Sequence, residues 1–282
     1  MIHLLIVSLV WAFSFGLIKG GLAGLPAALI ALIRLAIAAA VFLPFLRPRL
    51  LKAVDTLKLL FTGAVQYGLM YVTYIHAFNY LQAYEIALFT VFTPLYVTLV
   101  NDAFKRQFSV RTLAAVLFAI AGGIIIEYRH LSSPELWRGF FLMQFSNLCF
   151  AFGQIFYRRV MKHLQPPHSD LQVFGLLYIG ATLTALLATA GIDWTEITVS
   201  KHQIWILLYL GAVASGLCFF LWNIGARRVR GGTLAIFNNL KIPLGILVSL
   251  FLFNETAHWF RLIAGGSLMM LALAVNYRRR TL

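Results

Sequence analysis

Ten apolar runs, each near the roughly 20 residues that a helix needs to cross a bilayer, divide this chain almost end to end. They cover residues 2–18, 26–46, 56–78, 83–100, 110–126, 136–157, 171–191, 204–225, 232–253 and 259–277. Only short polar loops lie between them. A bilayer leaves two ways to satisfy every backbone polar group, the helix and the closed barrel. A barrel would show strands of about ten residues alternating polar and apolar; these runs are longer and apolar on all faces. The expected fold class is therefore an all-α integral membrane protein with ten transmembrane helices. Composition agrees, with 61% hydrophobic and 11% charged residues, against about 45–50% and 25% in soluble domains. The loops leave no room for a sizeable extramembrane domain, which excludes most soluble enzymes. The first run lacks the basic start and small-residue cleavage site of a signal peptide and reads as a retained helix.

The net charge of +14 is laid out in loop clusters, the positive-inside pattern of a membrane protein rather than a nucleic-acid surface. One set of loops carries Arg47, Arg49 and Lys52, then Lys105 and Arg106, then Arg158, Arg159 and Lys162, then Arg227, Arg228 and Arg230, and finally Arg278, Arg279 and Arg280. The opposite set mixes fewer cations with Glu127, Glu135, Asp193, Glu196 and Glu255. The first set is read as cytoplasmic, so both termini are cytoplasmic, which an even helix count allows. The halves also echo one another. Phe13-Ser-Phe-Gly16 resembles Phe150-Ala-Phe-Gly153, and Pro94 and Pro243 each fall inside a run. Two five-helix repeats are expected, 1–130 and 131–282, the second inverted relative to the first because five is odd. Such a repeat places a site at the repeat interface that opens to either side in turn. The repeated Ile-Ala-Gly-Gly, at 120–123 and 263–266, is out of register with the prolines and is not counted toward it.

Ionisable residues deep in a membrane helix are costly and mark function. Arg34 lies eight residues into the second run and Lys241 nine residues into the ninth. At 1.5 Å per residue both reach roughly 12–14 Å in, near the midplane. Glu85 sits near the outer end of the fourth run. Arg34 reads as an anion ligand or as a structural partner of Glu85. Lys241 reads as an anion ligand or as a side chain snorkelling to the interface. Two buried cations against one peripheral carboxylate leave an excess of positive charge that an anionic substrate relieves.

Polar and aromatic side chains gather on the same helices. Gln144, Asn147 and Gln154 share a stripe, Asn238 and Lys241 share a face with Asn239 beside them, and Ser215, Phe219 and Trp222 precede Asn223. Tyr67, Tyr71 and Tyr74 form another stripe near His76. These groups are either ligand contacts or interhelical glue, and His76 is either a proton carrier or an interfacial side chain. No P-loop, metalloprotease motif, nucleophile elbow or pair of intramembrane carboxylates is present. Cys149 and Cys218 form neither a disulfide framework nor a metal motif. No cofactor or metal is expected.

The segments Trp11-Ala-Phe-Ser-Phe15, Val41-Phe-Leu-Pro-Phe-Leu-Arg47, Leu88-Phe-Thr-Val-Phe-Thr-Pro-Leu-Tyr96 and Gly232-Thr-Leu-Ala-Ile-Phe-Asn-Asn239 resemble the EamA-type transporters of the drug/metabolite transporter superfamily, and within that family its biotin importers. Gln144-Phe-Ser-Asn147, Ala214-Ser-Gly216 and Trp222-Asn223 fit the same pattern. The resemblance spans nearly the whole chain. It implies a multi-pass protein of the bacterial inner membrane, working as a monomer, that imports biotin or a similar small carboxylate by alternating access. Its partners would be that small molecule and the lipid bilayer, with no nucleic acid. Lys241 and Arg34 would pair the carboxylate, and Asn147, Asn238, Asn239 and Gln144 the ureido group. Trp11, Tyr71, Tyr74, Trp222 and Asn223 would complete the site, and Glu85 and His76 would be candidate proton carriers. The rival reading is an exporter of amino acids or other metabolites with the same fold; a membrane-embedded enzyme is a more distant one.

Overall fold

The computed structural model describes residues 2–47, 51–106, 110–126, 133–165, 168–228 and 231–277. The side chains of 226–240 are not among those described, so the expectations for Asn238 and Asn239 lie outside the described residues. Among the described residues every regular element is helical. The α-helices are α1 Ile2–Gly16, α2 Ala27–Phe42, α3 Ala53–Gly63, α4 Met70–Ala77, α5 Ala83–Phe89, α6 Phe92–Lys105 and α7 Val110–Ile126. They continue as α8 Pro134–His163, α9 Asp170–Ala188, α10 Lys201–Tyr209, α11 Cys218–Arg228, α12 Gly231–Leu252 and α13 Trp259–Tyr277. Among the described residues, six helical stretches are long and apolar enough to cross a membrane, and three shorter apolar helices accompany them.

The helices start where capping chemistry allows. Ser169 and Ser200 accept the N–H groups of Gln172 and Gln203, whose side chains reach back to the serine N–H groups. Each capping box satisfies two donors that a helix start leaves free.

Three runs contain π-helical turns that apolar periodicity does not reveal: Leu17–Gly21, Ala64–Leu69 and Leu210–Leu217. A wider turn pulls carbonyls out of the i→i−4 ladder, and inside a bilayer those carbonyls need new donors. In the third turn the donors come from neighbouring helices. Trp11 Nε1 donates to Ala214 O at 3.0 Å, and the Tyr178 hydroxyl donates to the carbonyls of Ser215 and Gly216. The turn thereby holds Ser215 at the centre of the bundle.

The two prolines behave differently. Pro243 lies inside α12, as the sequence suggests, and leaves one carbonyl a turn earlier without its helical partner. Pro94 was expected mid-helix. Instead the run breaks after Phe89, and Pro94 is the third residue of α6. There its missing N–H costs nothing, because the first turn of a helix has no intrahelical acceptors. Asn147 and Thr93 close the break. Asn147 Nδ2 donates to Phe89 O at 2.9 Å, and Thr93 Oγ1 donates to Asn147 Oδ1 at 3.0 Å.

The repeated Ile-Ala-Gly-Gly acquires a use that sequence register concealed. α7 and α13 pack along one another, and a Cβ on Gly122 would meet the carbonyl of Gly265, and one on Gly265 that of Gly122. Small residues let membrane helices approach to backbone contact. Gly245 does the same nearer the centre, where α12 passes Phe15 of α1 and Ala87 of α5.

Candidate functional site

A cavity lies at the middle of the bundle, between α1, α2, α4, α6, α8, α11 and α12. Both midplane cations reach it. Arg34, 2% exposed, and Lys241, 7% exposed, are both among its lining residues. Among the described residues, no Asp or Glu is in that lining.

Arg34 is held by chemistry rather than by a counter-charge. Its Nε donates to Ser215 Oγ at 3.2 Å and its Nη2 to Tyr71 Oη at 3.0 Å. The guanidinium also lies over the Tyr71 ring, 4.6 Å from the centroid, a cation–π contact. Tyr71 Oη and Ser215 Oγ are 2.9 Å apart and bond to each other as well. Arg34 Nη1 is buried and has no hydrogen-bond partner among the described residues. The expected alternative, a pair with Glu85, does not account for Arg34; its fixed partners are Tyr71 and Ser215. Lys241 approaches Trp11, with Nζ 5.3 Å from the ring centroid. It stays in the cavity rather than snorkelling to an interface. Arg34 and Lys241 thus line one cavity with no carboxylate among its described lining residues, an arrangement that chemically suits an anion.

The walls are aromatic. Trp11 packs against Phe219 at 4.8 Å and against Trp222 at 5.2 Å between ring centroids. Phe219 is the hub, in ring contact also with Tyr67, Tyr71 and Phe150. Tyr74 sits edge-on to Tyr71, Phe15 and Phe78.

The structure brings together Arg34, Lys241, Asn147, Trp11, Tyr71 and Tyr74 of the expected set. It sets others back. Trp222 stands behind Trp11, and Asn223 donates to Tyr67 Oη at 2.5 Å and to Phe219 O at 2.9 Å. Gln144 is buried outside the lining, with neither end of its amide hydrogen-bonded to protein. Neither candidate proton carrier reaches the cavity. Glu85 accepts the N–H of Gln82 at 2.6 Å, closing the cap of α5. His76 is exposed and lies 3.4 Å from the Asn79 amide. Lys19, at one end of the bundle, donates to the carbonyls of Phe78 and Leu81, and Glu255 accepts the N–H groups of Ala83 and Tyr84.

Sequence reasoning missed Ser14, Thr90, Thr93 and Ser146, and the apolar wall formed by Phe15, Met70, Met143 and Phe150. Two signals were available. Thr90 and Thr93 stand just before Pro94, where the helix breaks, and Ser146 adjoins Asn147 on the polar face of α8.

The chain matches the model of a family described as the EamA-like transporter family, over residues 1–128 and again over 137–278. It is 39% identical over 281 residues to the biotin transporter of Salmonella typhimurium, covering 98% of this chain and 92% of that one. It is 38% identical over 278 residues to the probable biotin transporter of Pseudomonas aeruginosa, covering 98% and 97%. A probable amino-acid metabolite efflux pump of Salmonella typhimurium is 27% identical over 281 residues, covering 96% and 92%. A solved crystal structure superposes with a TM-score of 0.69 at 16% identity, covering 99% of this chain and 96% of the other, which establishes the likeness of fold.

Proposed function

The chain belongs to the EamA-like transporter family, and from that premise we propose that it imports biotin, or a closely similar small carboxylate, across the bacterial inner membrane by alternating access. It is a multi-pass membrane transporter and not an enzyme. In the proposed topology ten helices cross the bilayer as two inverted five-helix repeats, 1–130 and 131–282. Both termini are cytoplasmic, and one chain is the working unit. The observation that carries the substrate reading is the presence of Arg34 and Lys241 in one cavity whose described lining holds no carboxylate.

Biotin has a carboxylate, a polar cyclic urea and an apolar thioether ring. The two cations suit the first, and the aromatic wall around Phe219 suits the third. Export of an amine or amino acid fits less well, because an ammonium needs a buried acidic partner and this lining supplies none. Inward movement of an anion opposes the membrane potential by about 2.3 kcal/mol per 100 mV. Net accumulation therefore requires a co-transported cation or consumption of biotin inside the cell. Growth tests the reading directly. A biotin auxotroph lacking its own importer and expressing this chain grows on traces of biotin; failure to grow with the protein present in the membrane refutes it.

A further inference from the structure

Four serine and threonine hydroxyls are among the described lining residues, and the identity of their partners decides which way each hydrogen bond runs. Ser14 Oγ lies 2.8 Å from Val10 O, Thr90 Oγ1 2.7 Å from Ala87 O, and Ser146 Oγ 3.0 Å from Met70 O. A carbonyl cannot donate, so each of these hydroxyls gives its proton to the backbone. Thr93 is fixed one step further along. Asn147 faces the carbonyl of Phe89, which forces its amide nitrogen to that side and its oxygen toward Thr93, so Thr93 must donate as well. Trp11 has likewise spent its N–H on Ala214 O. Toward the cavity the four hydroxyls therefore present lone pairs only. Among the described residues, the donors left to meet a ligand are Arg34 Nη1, the Lys241 ammonium, the second amide hydrogen of Asn147, the Tyr74 hydroxyl and, when Ser215 donates to it, the Tyr71 hydroxyl.

We infer that this cavity selects ligands that carry N–H donors in addition to an anion, and that Ser14, Thr90, Thr93 and Ser146 are the acceptors that read them. Asn147 is then a positioning residue for the ureido N–H groups, acting through the Thr93 hydroxyl, and its second amide hydrogen is left for the ureido carbonyl. The inference rests on the biotin reading for the identity of the donor, a cyclic urea with two N–H groups. A carboxylate lacking such donors leaves buried acceptors unpaired when it enters and binds more weakly for that reason.

The test is calorimetric titration of the full-length protein in detergent with five probes. Biotin is compared with lipoate, whose pentanoate chain ends in a sulfur ring without N–H groups. It is also compared with biotin methylated on both ureido nitrogens, which keeps the carbonyl. A linear ureido-alkanoate and the alkanoate of equal length complete the set. Biotin binds at least about tenfold more tightly than lipoate and the dimethyl compound, the effect of one or two unmade hydrogen bonds. Thr93→Val and Thr90→Val each narrow the ratio of biotin to lipoate affinity. The inference is overturned if lipoate or dimethylbiotin binds within about threefold of biotin, a difference smaller than one typical hydrogen bond gives, or if the ratio is unmoved in both valine variants. If those variants do not fold, the wild-type series alone decides. Binding of the ureido-alkanoate, but of neither biotin nor the plain alkanoate, refutes biotin as substrate and upholds donor recognition. Equal binding of the two alkanoates refutes donor recognition whatever biotin does.

Discussion

Replacing Arg34 by methionine removes the guanidinium and keeps most of the apolar stem. The consequence for folding follows from the network around it. Tyr71 Oη and Ser215 Oγ are 2.9 Å apart and remain bonded to each other when the arginine is gone, so no buried group is newly orphaned. The variant also removes a charge whose burial costs several kcal/mol. Loss of two charge-assisted hydrogen bonds, at about 1.5–3 kcal/mol each, and of the contact with the Tyr71 ring, at about 0.5–2 kcal/mol, is offset by that relief. The melting temperature in detergent is therefore expected to stay close to wild type. Binding behaves differently. Removing one side of a buried, hydrogen-bonded charge pair costs about 2–5 kcal/mol, which is roughly 30- to 5,000-fold in affinity for biotin. Thermal melts and calorimetric titration of the purified variant separate the two effects. A steep loss of stability with unchanged affinity in the folded fraction would show that Arg34 is a structural element and refute its assignment to the ligand.

Three further outcomes are expected. Lys241→Ala loses most uptake while Lys241→Arg retains part of it, because the charge survives but not the compact ammonium; normal uptake by Lys241→Ala contradicts the second cation's role. Glu85→Gln keeps uptake, since glutamine at the third position of α5 still reaches back to the N–H of Gln82; abolished uptake with normal expression would place a proton step there. Gly122→Leu forces α7 away from the carbonyl of Gly265 and destabilises the protein by about 1–3 kcal/mol or more, read as a lower melting temperature; an unchanged melt contradicts the close crossing.

Much of the helical layout was legible because a bilayer makes apolar run length almost equivalent to helix length. The expected runs 110–126 and 259–277 coincide with α7 and α13, and others differ at their ends by a few residues. Arg34 and Lys241 were legible for the same reason, since a cation eight or nine residues into such a run stands out against its neighbours. What stayed hidden depends on local backbone geometry. The π-helical turn around Ser215 has the same apolar composition as an α-helix. The break before Pro94 becomes visible only once Asn147 and Thr93 are seen to close it. Gln144 and Asn147 look alike in sequence, yet a step of three residues along α8 turns one into the cavity and leaves the other out of its lining. For Thr90, Thr93 and Ser146 the sequence marks only a position beside Pro94 or Asn147, for Ser14 not even that, and their role follows from the acceptors they face. The Gly122 and Gly265 motifs were set aside on register, although helices that pack along one another need no shared register with distant prolines.

The two-cation cavity is proposed to carry biotin across a membrane. Uptake of labelled biotin into proteoliposomes of the purified protein measures this without metabolism behind it. The expected result is saturable uptake above protein-free vesicles, competed by unlabelled biotin, hardly competed by biotin methyl ester, and lost in Lys241→Ala. Uptake no greater than in protein-free vesicles, from correctly folded protein, or equal competition by the methyl ester, would contradict it.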